Sequence, residues 1–152
     1  MKSQLVLRFE PDSDGAGELF VTASCERFAG AGSAWFAQDE VRAFGEKLQS
    51  GLTLTPGTEW RLEGGYWESG SSPPRLRDVL VGLRVYPIGR TGQIGIQVRL
   101  GDGTHEQQRP ESRGWASFEL PACYEDLHRF GAQMQRIVES SDATASLYPD
   151  EP

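Results

Sequence analysis

Apolar and polar residues alternate through most of the chain. Leu5, Leu7 and Phe9 share one face of residues 5–9, and Leu19, Val21, Ala23 and Cys25 share one face of a following run. A period of two predicts strands. Between them Glu10-Pro11-Asp12-Ser13-Asp14-Gly15-Ala16-Gly17 supplies turn chemistry, because Pro fixes φ while Asp and Gly accept tight or left-handed geometry. A hairpin is therefore expected, followed by a short third strand over residues 32–36. Residues 38–50 then change period. Val41, Phe44 and Leu48 fall on one helical stripe, Asp39 and Glu40 stand near its start and Lys47 near its end, and Gly51 stops it.

The second half repeats the alternation. Residues 58–67 read as a strand, and Gly70-Ser71-Ser72-Pro73-Pro74 as an exposed loop. Val79, Val81, Leu83 and Val85 are answered across Pro87-Ile88-Gly89-Arg90-Thr91-Gly92 by Ile94, Ile96, Val98 and Leu100, which predicts the centre of a sheet. Its other face carries Gly82 and Gly95, an opening for a helix or aromatic ring to approach. A polar loop over residues 101–114 precedes a strand near residues 115–120. A last helix over residues 124–140 places Leu127, Phe130, Met134, Ile137 and Val138 inward.

The two helices match in register. Val41, Phe44-Gly45, Leu48 and Gln49 align with Leu127, Phe130-Gly131, Met134 and Gln135, and each helix follows three strands. Two readings stand: a duplicated strand-strand-strand-helix unit, or convergence of two amphipathic helices packed on one sheet. Either implies an α+β fold, a largely antiparallel sheet of about six to seven strands with two amphipathic helices. A chain of 152 residues fits one domain, here residues 1–140, and the acidic segment 141–152 is expected to be a flexible tail.

Charge narrows the function. Fifteen Lys and Arg against 22 Asp and Glu give a net charge of −7, which argues against binding the phosphate backbone of nucleic acid and is compatible with a basic protein partner. No apolar run has membrane-spanning length, and Met1-Lys2-Ser3-Gln4 does not begin a signal peptide. A cytoplasmic location follows as the expectation, with Cys25 and Cys123 reduced and buried.

Candidate chemistry is sparse. His105 could serve as a general base but sits in a turn-rich loop, where a solvated histidine is the plainer reading, and His128 reads as a partly exposed helix residue. Asp12 and Asp14, with Glu10 and Glu18 nearby, offer hard oxygen ligands without the EF-hand arrangement, so no metal is expected. Gly30-Ala31-Gly32-Ser33 opens a strand rather than a helix and lacks a lysine, so it is not read as a phosphate cradle. Ser33 lacks the Gly-x-Ser-x-Gly frame. No catalytic residue and no cofactor are therefore expected. What remains is aromatic. Trp35, Trp60, Tyr66, Trp67, Tyr86 and Trp115 are core or sheet-face residues, or else part of an acidic-aromatic docking face. The candidate partner-binding residues are Tyr66, Trp67, Glu68, Asp39, Glu40, Glu125 and Asp126.

One resemblance bears on this choice. Leu7-Arg8-Phe9, Gly30-Ala31-Gly32-Ser33-Ala34-Trp35-Phe36, Leu62-Glu63-Gly64-Gly65-Tyr66-Trp67 and Val81-Gly82-Leu83-Arg84-Val85-Tyr86-Pro87-Ile88-Gly89 together resemble the WapI immunity family of small bacterial proteins. The resemblance spans residues 5–140 and rests on turn glycines and strand aromatics. It implies a cytoplasmic antidote that binds the toxic domain of a contact-delivered toxin, often a nuclease, and it carries no catalytic residues. A non-enzymatic binding protein of this kind is the leading expectation. The alternatives are a self-associating structural module, with homo-oligomers, and a small-molecule-binding protein with a pocket between sheet and helices near Gly82, Gly95 and Trp115.

Overall fold

The alternation becomes, among the described residues, eight antiparallel strands divided between two sheets. A computed structural model describes residues 3–50, 54–90, 92–102 and 109–149. In chain order the elements are β1 (Gln4–Pro11), β2 (Ala16–Cys25), β3 (Phe28–Ala37), α1 (Gln38–Gln49), β4 (Trp60–Trp67), β5 (Leu76–Ile88), β6 (Gln93–Gly101), a 3-10 turn at Pro110–Ser112, β7 (Trp115–Ala122), α2 (Tyr124–Ile137) and β8 (Ala145–Leu147). The first sheet has the order β3-β2-β1-β8 and the second β4-β5-β6-β7. The α+β class and the antiparallel pairing match the sequence reading. The single sheet does not, because local periodicity predicts that a segment is a strand without saying which neighbour it pairs with.

The two sheets repeat one topology. β1 pairs with β2 on one side and with β8 on the other, while β5 pairs with β6 on one side and with β4 on the other. The strand after α1 thus joins the second sheet, and the strand after α2 returns to the first. The chain is two strand-strand-strand-helix-strand units, each contributing its last strand to the other's sheet. The unit legible from the sequence lacked this exchanged strand. The expected flexible tail at residues 141–152 is corrected accordingly: Ala145 and Leu147 are buried opposite Leu7 and Leu5. The alternation of Ala145 and Leu147 over three residues of a polar stretch is too short to announce a strand, but the two side chains complete the face that β1 leaves open. Residues 150–152 lie outside the described residues.

The helices cross at their shared Phe-Gly step. A methyl group at Gly45 would sit 2.8 Å from the Gly131 carbonyl oxygen, and one at Gly131 would strike the Gly45 carbonyl and lie 2.8 Å from the Gln49 amide nitrogen. Only glycine lets the two backbones meet this closely. The equivalent glutamines close the crossing, Gln135 Nε2 donating to Gln49 Oε1 at 2.5 Å. Rather than lying side by side on one sheet, the helices pack chiefly on each other, with α1 also against β3 and β4 and α2 against β1 and β8.

β3 lies across the second sheet. Gly30 rests on Ala116 and Leu100, Gly32 on Leu100 and the Leu80 carbonyl, and the Phe36 ring on Gly64. Along its length β3 therefore passes β7, β6, β5 and β4 in turn, a steep crossing of the two sheets. Side chains at residues 30 and 32 would hold the layers apart, which is the physical use of the glycine-rich segment. Both sheets and both helices share one apolar core, in which full burial of a ring such as Phe9 or Phe130 contributes about 1.5–3 kcal/mol.

Candidate functional site

Period two gives β2 and β3 an outward face as well as a core face. The register sets Glu18 opposite Trp35, Phe20 opposite Ser33 and Thr22 opposite Ala31, all away from Leu19, Val21, Ala34 and Phe36 in the core. Because β3 is an edge strand laid across the second sheet, its free edge borders the ends of β4 and β6. The junction is a groove of about 540 Å³, within the ~300–1,000 Å³ typical of binding clefts. Its lining includes the small-residue stretch Ala31, Gly32 and Ser33, together with Glu18, Phe20, Trp35, Tyr66 and Asp102.

Hydrogen bonds hold the acids in place. Ser33 Oγ donates to Glu18 Oε2 at 2.7 Å. Asp102 accepts the Gly114 amide at 2.9 Å while its own amide donates to the Gly114 carbonyl. Arginines cover several rings nearby. Arg8 lies 4.3 Å over Phe20 and bonds Glu10 at 2.6 Å, Arg77 lies 5.6 Å from Tyr66, and Arg113 4.7 Å over Trp115. Asp78 stands between Arg77 at 3.1 Å and Arg113 at 3.3 Å. Burial pushes its carboxyl up, but the two guanidinium groups outweigh burial and hold it below the usual carboxylate range. Trp35 is the exception: its ring is 57% exposed, and among the described residues no arginine stacks on it.

A second polar network crosses the outer face of β4–β7. Glu59 accepts from Arg61 and from Arg84, the latter at 2.7 Å, and these bonds, the Arg61 one foremost, lower its carboxyl from the ordinary value. Arg84 continues to Gln97 at 2.5 Å. Tyr86 lays its ring on Gly95 and its hydroxyl donates to Glu119. Burial, then that carboxylate, pushes the Tyr86 phenol up to about 12. The network also corrects the pocket expected near Gly82, Gly95 and Trp115. Gly82 and Gly95 face outward, opposite the core side of β5 and β6, where Val79 and Tyr86 cover them. The aromatic approach expected at these glycines is thus present at Gly95, as a tyrosine ring.

The expected docking residues divide. Tyr66 is half-buried and lines the groove, whereas Trp67 and Glu68 are exposed just beyond it. Asp39 and Glu40 are exposed on the first turn of α1, Asp39 bonding Arg42 at 2.8 Å. Glu125 is exposed on the first turn of α2. Asp126 is buried, its carboxylate accepting the Cys123 amide at 3.1 Å and Arg129 at 2.8 Å. It caps a helix rather than facing a partner. Of these seven only Tyr66 lines the groove, and the acids on the helices do not join the aromatics there. Sequence reasoning passed over Glu18 and Asp102 as members of such a face. The signal for Glu18 was its place on the polar side of the Leu19–Val21–Ala23 alternation, the side that Trp35 shares.

The other candidates carry structural roles. Asp12 and Asp14 accept amides of the β1–β2 turn from Ser13 and Ala16, and among the described residues no cluster of three or more His, Cys, Asp or Glu could hold a metal ion. Both thiols are free. Cys25 is half-buried, and Cys123 is exposed at the start of α2, which corrects the expectation that both are buried. His128 is half-buried, with its Nε2 enclosed. His105 lies outside the described residues. No helix among them is long and apolar enough to cross a membrane. Compared with known proteins, the chain matches no family model, no curated protein and no solved structure.

Proposed function

We propose that the chain is a non-enzymatic cytoplasmic binding protein, an antidote that neutralises the toxic domain of a contact-delivered toxin by covering it. The observation that carries this reading is the groove across β3, where Trp35 stays 57% exposed in a lining that also holds Glu18 and Asp102, in a chain of net charge −7. An exposed indole on a rigid strand buries large area at small entropic cost, which is how aromatic anchors dominate protein interfaces. The negative charge adds electrostatic steering toward a basic partner. Trp67 and Trp115, also more than half exposed, extend the aromatic surface, and the resemblance to the WapI immunity family points the same way.

Co-expression with the cognate toxic domain, sought among the products of the genes neighbouring its own, tests the proposal. Survival of the cells and co-elution of the two proteins as one complex are the expected results. Cell death at full antidote expression, with the proteins eluting separately, overturns it.

A further inference from the structure

The groove's own chemistry says what kind of side chain it takes. Around it, Phe20 and Tyr66 already carry arginines of this chain, as does Trp115, whose ring lies on the groove residue Gly101. Trp35 faces the same space with its indole free of any such cation among the described residues, and Glu18 lies directly across the strand pair from it. Asp102 supplies a second carboxylate to the groove lining. An aromatic face beside carboxylates attracts a planar guanidinium twice over, by the ring quadrupole and by charge-assisted hydrogen bonds. The small residues Ala31, Gly32 and Ser33 in the lining leave room for the side chain's methylenes.

We infer that the β3 groove is a docking site for an arginine-bearing segment of a partner protein, with Trp35 stacking on the guanidinium and Glu18 and Asp102 as its counter-charges. The inference rests on the proposed binding function and specifies its surface and the partner's chemistry. It also accounts for the small Ala31 and Ser33 beyond packing, since bulkier outward residues on β3 would fill the groove.

The test uses the full chain and a short synthetic peptide of alternating Arg and Val, followed by calorimetry and tryptophan fluorescence. The reference peptide has citrulline at each Arg, with equal shape and no charge. The arginine peptide should bind about tenfold or more tighter than the citrulline peptide, weaken with added salt, and lose about tenfold in affinity in Trp35→Ala. The isosteric pair Glu18→Gln and Asp102→Asn keeps both hydrogen-bond acceptors and should lose a similar factor. Glu46→Gln with Asp142→Asn removes the same charge from exposed positions elsewhere and should bind like the wild type. Equal binding of the two peptides overturns the inference, as does an equal loss in the distant-charge variant, which would mean diffuse attraction. The two readings separate cleanly. If the groove variants still neutralise the toxic domain at wild-type affinity, the groove inference fails and the antidote reading stands. If the wild type binds the peptide but neither binds nor neutralises the toxic domain, the antidote reading fails alone.

Discussion

Replacing Gly131 by alanine should destabilise this protein, although the same change in an open helix would stabilise it. Alanine in a helix interior is favoured over glycine by about 1 kcal/mol. Here the added methyl meets backbone: it would strike the Gly45 carbonyl and lie 2.8 Å from both the Gln49 nitrogen and the Leu48 Cβ, about 0.6 Å inside the 3.4 Å where ordinary contact begins. No flexible side-chain end can yield there, so α1 and α2 must separate. Overpacking of this kind costs about 1–3 kcal/mol, and the backbone clash puts it at the upper end. Subtracting the propensity gain leaves a loss of about 2 kcal/mol, or a fall in Tm of roughly 4–8 °C for a domain of this size. Gly45→Ala meets the Gly131 carbonyl at 2.8 Å but otherwise side-chain atoms at 3.0 and 3.2 Å, so its loss should be nearer 1 kcal/mol. The double variant should cost less than the sum, because one separation of the helices accommodates both methyls. Urea unfolding followed by circular dichroism measures each value, with m unchanged. A Gly131→Ala protein as stable as the parent, or more so, would refute the close crossing.

Other consequences are testable in the same format. Leu147→Ala should cost about 2–4 kcal/mol by urea unfolding, since the side chain is buried against β1; a frayed tail would make the change silent. The Tyr86 phenol ionises near 12 in the folded protein against 10 when exposed, so its contribution to stability is complete below pH 10 and is lost as pH rises through about 12. Tyr86→Phe should flatten that alkaline loss in a pH series of melts, and an unchanged slope contradicts the assignment. The Asp78 carboxyl is held low, so its contribution is present above its ordinary value of 3.8 and is lost as pH falls below it; Asp78→Asn should make acid unfolding less steep. Fragments 1–70 and 71–152, each missing the strand that completes its sheet, should co-purify when co-expressed. Two separately soluble, non-associating halves would contradict the strand exchange.

The sequence carried much of this fold at the level of single elements. Both helices were legible from Val41-Phe44-Leu48 and Leu127-Phe130-Met134, because a 3.6-residue stripe and the charges at its ends are local signals. Seven of the strands were likewise placed, most of them as alternations. Pairing was not, because nothing in Leu62 or Tyr66 indicates that β4 joins β5's sheet instead of the one built by β1–β3. The exchanged β8 was invisible for the same reason, its burial depending on the vacant side of β1. At the site, the aromatics were countable but their exposure was not. In β3 both faces are made of small residues, with Gly30, Gly32 and Ala34 inward and Ala31 and Ser33 outward, so the side on which Trp35 emerges is settled only by the layer packed beneath. Asp126 turns inward because, three residues after Cys123, its carboxylate accepts the Cys123 amide at the start of α2.

Calorimetric titration of the intact chain against its purified cognate toxic domain, sought among the products of the neighbouring genes, probes the account most directly, read together with the toxin's residual activity. A one-to-one complex that silences the toxin, weakens with salt and loses affinity on Trp35→Ala is the predicted result. No heat of binding, or a toxin that remains fully active when saturated with this protein, would contradict it.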